Sequence, residues 1–394
     1  MNNTTNSTYL VNSYFRLPIE ITHAENFYLI DATGKKYIDF ASGFAVTNLG
    51  HNVAYINQKM HEQIDKIWHC SNLFHNTELN KLAKRLVELT FADSVFFCSS
   101  GLEAVEAAIK FIRKYHYNAK TGRSKIITFK NGFHGRSIAC LSGCSNTTAK
   151  EGFAPFLEDF IILPINDLEA LNDVISKQNI AGIIIEPTQS EGGVYPVSKN
   201  FLQTLREITL KNNILLCLDE VQTGYNRTGT LFKYQQLGFE PDIMTIAKGM
   251  GNGFPVGACL VKSHVAEAIT PGTHGSTFGG NPLAMAVANA VLDIMLDEKT
   301  IALINDNIKY FQNKLASLKE TTNFITDIRQ DGLIIGIEVN ISAKELVTKL
   351  SKAGLMITRA GNDNVLRILP PLTIPKEIID TAFTILQQHL TTPL

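Results

Sequence analysis

Lys248 closes the run Pro241-Asp242-Ile243-Met244-Thr245-Ile246-Ala247-Lys248 and is followed at once by Gly249. An apolar, strand-like run ending in lysine and glycine puts the ammonium where a central strand meets the rim of a cleft, neither freely solvated nor deeply buried. A primary amine there can form an imine with a carbonyl. Taken alone, Lys248 reads more simply as the solvated end of a buried strand, but two other segments reverse that order. Ile214-Leu215-Leu216-Cys217-Leu218-Asp219 delivers a carboxylate at a second strand end. Phe97-Cys98-Ser99-Ser100-Gly101-Leu102 turns from strand into helix, where free N–H groups and the Ser100 hydroxyl suit a phosphate. An ordinary serine cap would account for that turn by itself. Lysine, aspartate and phosphate cradle together describe a site for pyridoxal phosphate.

In such a site Asp219 can keep a pyridine nitrogen protonated, which makes the ring an electron sink for a carbanion; a buried ion pair at a strand end is the plainer alternative. Val221, two residues on and on the same side of an extended chain, can press on one ring face, and Gln222 can hydrogen-bond the phenolic oxygen. Phe133-His134-Gly135-Arg136 offers an aromatic for the other face and an arginine for a carboxylate. Gly275-Ser276-Thr277-Phe278-Gly279-Gly280 again precedes a helix and can add a hydroxyl to a phosphate.

The elements that must position these residues are legible as alternation. Between Ser94 and Val261 the runs Val95–Phe97, Ile126–Phe129, Ile180–Ile185, Ile214–Asp219, Ile243–Ala247 and Gly257–Val261 alternate with helical stretches. Near-continuous apolar runs predict strands buried on both faces of a mostly parallel sheet, and ligands in such sheets bind at the carboxyl ends of the strands. Before this region, 27–40 reads as two short strands around a glycine turn, 43–51 as a loop laid along a cleft, and 56–67 as a helix. After it come helices over 282–296 and 299–318, a strand over 333–339, a helix capped by Ser342 and Glu345 and stopped by Gly354, strands over 355–358 and 365–369, and a helix over 375–389. The fold class is α/β, with a large domain over 51–290 and a smaller α+β domain over 291–394 that the N-terminal arm, 1–50, joins.

Composition narrows the partners. The chain has 394 residues, 45% hydrophobic and 19% charged, with a net charge of -1, which gives no electrostatic reason to expect nucleic acid or an anionic membrane. Six cysteines without a C-x-x-C pair and ten histidines without ligand spacing predict buried thiols and no metal. The polar start Met1-Asn2-Asn3-Thr4-Thr5-Asn6-Ser7-Thr8 has no apolar core of a leader, and no later run approaches a membrane span. A cytoplasmic location is the expectation.

With the motifs assembled, the chain resembles the class III pyridoxal-phosphate aminotransferases, of PLP fold type I (aspartate-aminotransferase-like), and is most similar to their acetylornithine aminotransferase branch. The resemblance runs from about Tyr28 to Thr373 and rests on Ser71-Asn72-Leu73, Ser100-Gly101, Phe133-His134-Gly135-Arg136, Glu186-Pro187-Thr188-Gln189, Asp219-Glu220-Val221-Gln222-Thr223-Gly224, Ala247-Lys248-Gly249, Thr277-Phe278-Gly279-Gly280-Asn281-Pro282 and Arg367-Ile368-Leu369-Pro370-Pro371-Leu372. It implies that Lys248 forms the imine that anchors the cofactor, that Asp219 pairs with the pyridine nitrogen, that Ser100, Gly101 and the Leu102 amide hold the phosphate, and that Phe133 and Val221 sandwich the ring. It implies further that Thr277 reaches the phosphate from a neighbouring subunit, with Ser276 near the substrate, so that a homodimer is a condition of activity. Arg136 would bind a carboxylate. Glu191 would neutralise Arg367 while an ω-amine reacts and release it for the α-carboxylate of glutamate.

Three positions depart from the family pattern: Ser190 replaces a glycine after Glu-Pro-x-Gln, Ser99 an asparagine, and Asn226 a glycine. Asparagine tolerates a left-handed backbone; Ser190 adjoins Glu191 and bears on the switch. The expected reaction moves the terminal amino group of N2-acetyl-L-ornithine to 2-oxoglutarate, a step of arginine biosynthesis. The alternatives are another ω-aminotransferase, acting on ornithine, 4-aminobutyrate or a succinylated diamino acid, and a non-catalytic PLP-binding protein, which would not need Arg136, Glu191 and Arg367. A nicotinamide-dependent oxidoreductase lacks its G-x-G-x-x-G after a strand and would leave Lys248 idle.

Overall fold

A computed structural model describes residues 9–361 and 363–391; the polar start at 1–8, read above as no leader, lies outside them. Seven strands form the central sheet, in the order Ser94–Cys98, Gly257–Val261, Ile243–Ile246, Leu215–Asp219, Ile180–Ile185, Lys125–Phe129 and Phe160–Leu163. Neighbours pair parallel except Gly257–Val261, which runs antiparallel to both strands beside it. The expected α/β class with a mostly parallel sheet is what forms. Every residue of Ile180–Ile185, Leu215–Asp219, Ile243–Ile246 and Gly257–Val261 is buried, which is why these strands carry no polar alternation. The six runs read in sequence are all strands; the edge strand Phe160–Leu163 was missed, because four apolar residues next to a turn do not distinguish strand from loop.

The helix Gly101–Asn118 packs Val105, Ala108, Ile109 and Ile112 into a buried cluster with Ile126, Ile184 and Cys217. The helix Pro282–Met295, capped by Asn281 and opened by proline at its first turn, is buried along almost its whole length. Five of the six cysteines are buried thiols and Cys70 is half-exposed.

Two four-stranded sheets flank this core. Ile21–Glu25, Tyr28–Asp31 and Lys36–Asp39 form an antiparallel meander, and Lys36–Asp39 pairs parallel with Leu355–Met356 from the far end of the chain. Ile325–Asp331, Ile334–Val339, Val365–Ile368 and Thr358–Ala360 make the second, antiparallel throughout. Ile21–Glu25 and Ile325–Asp331 were not read in sequence: both carry polar residues on either face, so neither shows a clean apolar run or alternation. The helix Ala343–Lys352 has Ser342 as its cap, accepting from the Glu345 N–H at 3.3 Å, and Gly354 ends it at φ +93°.

The stretch expected to be a loop over 43–51 opens instead on one tight turn, Ser42–Ala45, whose four residues all have positive φ. A left-handed backbone is costly for residues with a Cβ, so this turn needs support. Asp39 Oδ1 accepts the Ala41 and Ser42 N–H groups at 3.0 and 2.8 Å, and His51 Nε2 bonds Asp39 Oδ2 at 2.9 Å. Among the described residues no helix is long and apolar enough to cross a membrane, and no group of His, Cys, Asp and Glu side chains is gathered to hold a metal.

Candidate active site

The carboxyl ends of the parallel strands converge on one cavity of about 620 Å³. Ser99 to Leu102 follow Ser94–Cys98, Phe133 follows Lys125–Phe129, Glu186 follows Ile180–Ile185, Asp219 ends its strand, and Lys248 lies two residues past Ile243–Ile246. Each strand therefore contributes side chains where the sheet stops covering them. Ten of the predicted residues line the cavity: Ser100, Gly101, Leu102, Phe133, Arg136, Glu191, Asp219, Val221, Gln222 and Lys248.

Lys248 itself has φ +47° and opens a short 3-10 turn, Lys248–Met250. A lysine in the left-handed region is strained, and such strain gathers at functional sites. Burial holds its pKa below the ordinary lysine value, with Glu191 opposing and Arg367 reinforcing that shift. The amine is thereby shifted toward the neutral form that attacks a carbonyl or accepts a proton.

Asp219 is buried and firmly aimed. Its Oδ2 meets His134 Nδ1 at 2.7 Å, while Oδ1 accepts from Thr245 Oγ1 at 3.0 Å and from the Val221 N–H at 3.2 Å. Behind it Glu186 accepts the Phe133 N–H at 2.8 Å. Burial pushes the Glu186 carboxyl up to about 8, against the charge of His134 and with Asp219 adding to the rise. Burial also works against a charged His134 ring, yet the hydrogen bond and charge of Asp219, joined by Glu186, lift its pKa above the ordinary histidine value. His134 and Glu186 stand inside quoted motifs, but no role was read for them. His134 meets Asp219, 85 residues away in the chain, and Glu186 accepts from Phe133, 53 residues away, so spacing gave no signal.

At the opposite wall Ser100 caps the helix Gly101–Asn118. Its Oγ accepts the Glu103 N–H at 3.2 Å and donates to Glu103 Oε2 at 3.1 Å. The hydroxyl is thus already engaged, and the Gly101 and Leu102 amides, which have no carbonyl four residues back within the helix, are the donors left for an anion. A Cβ on Gly101 would lie 2.8 Å from Val221 Cγ1, so glycine is what keeps this cradle open. Gln222 donates from Nε2 to the Phe44 carbonyl at 3.2 Å, and its Oε1 is buried without a partner, as is Ser99 Oγ. Orphaned polar atoms in a cavity wall call for a polar ligand. The residues present fit a group with an anion at one end, a flat ring between Val221 and Phe133, and a carbonyl within reach of an amine.

Arg136 lies exposed at the mouth, its guanidinium carbon 5.9 Å from the Phe133 ring centre. Arg367 does not line the cavity. It is 0% exposed and sits behind Glu191, with Nη1 donating to Glu191 Oε1 at 2.7 Å and to Ser190 Oγ at 3.2 Å, Nε donating to Thr358 Oγ1 at 3.1 Å, and Phe44 stacked at 5.3 Å. The expected Glu191–Arg367 pair is therefore formed. Ser276 and Thr277 stand apart from the cavity of their own chain: Ser276 Oγ donates to Glu103 Oε1 at 3.0 Å, and Thr277 is exposed on the surface. Asn226 takes φ +61°, as its replacement of glycine allows, and donates to the Met295 carbonyl at 2.6 Å.

The family described as Aminotransferase class-III matches residues 9–390. The chain is 44% identical over 370 residues to the acetylornithine aminotransferase of Agrobacterium fabrum, covering 93% of this chain and 92% of that one. It is 42% identical over 382 residues to the acetylornithine aminotransferase of Bacillus subtilis, covering 97% of each. Among solved structures, the ornithine aminotransferase of Toxoplasma gondii, described with partial occupancy of PLP at its active site, superposes with a TM-score of 0.92 at 30% identity, covering 97% of this chain and 92% of that one. The acetylornithine aminotransferase of Elizabethkingia anophelis gives 0.86 at 34%, covering 97% and 96%.

Proposed function

Since the chain belongs to the class III aminotransferases, which act on amino and 2-oxo acids, we propose that it moves the terminal amino group of N2-acetyl-L-ornithine to 2-oxoglutarate, giving N-acetyl-L-glutamate 5-semialdehyde and L-glutamate. The observation that carries the chemistry is the meeting of Lys248, Asp219 and the Gly101 and Leu102 amides in one cavity. The choice of donor is supported by the names of the relatives from Agrobacterium fabrum and Bacillus subtilis. A second reading, ornithine as donor, is favoured by the likeness to the Toxoplasma gondii structure.

Pyridoxal phosphate, when bound, supplies an electrophilic carbonyl and a ring that withdraws electrons from the carbon carrying the amino group. The Gly101 and Leu102 amides hold its phosphate at the helix terminus, with Ser100 keeping that terminus in shape. Phe133 and Val221 would flank the ring, Asp219 would pair with its nitrogen, and Gln222 would serve its phenolic oxygen. Lys248 Nζ would be the amine that holds the cofactor; once the substrate amine displaces it, the freed Nζ would take the proton from the carbon bearing the amino group, a role typically worth ~10²–10⁴-fold. Arg136 receives a substrate carboxylate. Glu191 neutralises Arg367 while the ω-amine reacts and gives way when 2-oxoglutarate brings a second carboxylate.

The same proposal includes a homodimer. Trp68, Leu73, Phe74 and Phe278 are exposed large side chains, and Asn72 ties their two segments together by donating to the Ser276 and Gly279 carbonyls, each at 3.1 Å. An apolar patch of this kind is suited to burial against a second copy, and Thr277 within it would reach that copy's phosphate cradle. The division into an arm over 1–50, a large domain over 51–290 and a small one over 291–394 is supported by the pairing of Ile38 with Leu355. A cytoplasmic location belongs to the same reading.

The test is the visible spectrum of the purified protein with pyridoxal phosphate, followed as N-acetylornithine, ornithine and 4-aminobutyrate are added separately without keto acid. N-acetylornithine should convert the absorbance first; if another donor does so, the class stands and the branch falls. Lys248→Ala should abolish turnover, and borohydride treatment should fix the cofactor to the peptide bearing Lys248 in the wild type alone.

A further inference from the structure

We infer that Ser190 is a positioning residue for the dicarboxylate half of the reaction: its hydroxyl keeps Arg367 in place when Glu191 lets go. The inference rests on the proposed exchange of Glu191 for a substrate carboxylate on Arg367. In the structure both side chains share one nitrogen, Nη1, at 2.7 Å from Glu191 Oε1 and 3.2 Å from Ser190 Oγ. They differ in freedom. The Glu191 side chain is 36% exposed and can turn out to water, whereas Ser190 is 1% exposed and cannot.

The backbone beneath them is clamped. Gly361 donates to the Glu191 carbonyl at 2.9 Å, and Arg329 Nε donates to the Gly193 and Val194 carbonyls, both at 3.1 Å. Exchange at Arg367 is therefore a side-chain movement of Glu191 past a fixed Ser190. Once Glu191 leaves, a fully buried guanidinium loses its carboxylate, and an uncompensated buried charge is strongly unfavourable. The Ser190 and Thr358 hydroxyls then remain as its acceptors. Being neutral, they keep the fork aimed without competing for the charge that must attract the substrate. Arg367 Nη2 is buried without a partner, ready for an oxygen of the arriving carboxylate. A glycine in place of Ser190 would offer Arg367 no hydroxyl.

The experiment uses the holoenzyme and glutarate, a five-carbon dicarboxylate with no keto group to react. Ser190→Ala should weaken glutarate binding measured by calorimetry about tenfold, the size of a hydrogen bond to a charged group. It should raise KM for 2-oxoglutarate by a similar factor while KM for the amino donor and kcat stay where they were. Arg367→Lys, which keeps the buried charge and loses the fork, should weaken glutarate more. If Arg367→Lys weakens glutarate and Ser190→Ala does not, the role of Ser190 is overturned and the exchange stands. If Arg367→Lys binds glutarate like the wild type, the exchange itself fails and takes the inference with it. An equal rise in KM for both substrates in Ser190→Ala would mean a general packing role and also overturns the inference.

Discussion

Asp219, His134 and Glu186 bring two carboxylates and an imidazole together out of water, so the protons of Glu186 and His134 are part of the fold. The Glu186 carboxyl is pushed up to about 8 by burial, and His134 is raised by Asp219. Both folded forms therefore hold a proton more tightly than the unfolded chain does. A raised pKa contributes stability that is full below the unfolded value and lost as pH rises through the folded one. For Glu186 that window runs from its ordinary 4.5 to about 8. Urea midpoints of the cofactor-free protein should fall across this range, and Glu186→Gln, which can still accept the Phe133 N–H, should flatten the fall. A Glu186→Gln protein with the wild-type slope would mean that Glu186 is already ionised in the fold. At this scale the sequence singled out Lys248, Asp219 and Arg136 by type at strand ends and turns, and the family resemblance added Glu191 and Arg367; the structure brings Lys248, Asp219, Arg136 and Glu191 to one cavity and pairs Glu191 with Arg367. The sequence was silent on the groups that aim them, such as His134 on Asp219 and Phe44 on Arg367.

The element that matters most to the cradle is the start of the helix Gly101–Asn118. Its first residue is glycine for a steric reason: a Cβ there would meet Val221 Cγ1 at 2.8 Å and Cγ2 at 3.1 Å. Gly101→Ala should push Val221 toward the ring position, at the ~1–3 kcal/mol typical of overpacking, and weaken pyridoxal phosphate binding by about tenfold or more. Fluorescence titration of the cofactor-free protein with pyridoxal phosphate measures this, and unchanged affinity would refute the cradle as drawn. The helix was legible from Val105, Ala108, Ile109 and Ile112 at one spacing. Its clash partner was not, because Val221 lies on another strand end. The loop expected over 43–51 holds past 45, but its opening turn Ser42–Ala45 was not legible, since the left-handed backbone there is supported by Asp39 and His51 from outside the turn and not by the propensity of its own residues.

For the whole molecule, the exposed patch around Leu73 is where assembly can be tested without disturbing the core. Leu73 is 87% exposed, so Leu73→Asp costs a lone chain little. In a dimer that buries it, an unpaired carboxylate is strongly unfavourable. Light scattering should find the variant monomeric, with activity lost while its circular dichroism is kept; a dimeric and active variant would remove this patch from the interface. Thr277 gives the result its meaning, because it is exposed and away from the cavity of its own chain.

What the sequence determined by itself was the class of fold and the chemistry of the strand ends. Burial on both faces leaves a run of apolar residues whatever surrounds it, and an imine-forming lysine or a phosphate-binding turn must be built from particular residue types. What only the tertiary structure decided was which of those groups meet and how each is held. Asp219 gained His134 and Thr245, the Ser100 hydroxyl went to its own helix and left the amides free, and Arg367 was buried behind a partly exposed Glu191 and a buried Ser190. Those outcomes depend on distances between segments remote in the chain, which no local pattern of residues encodes.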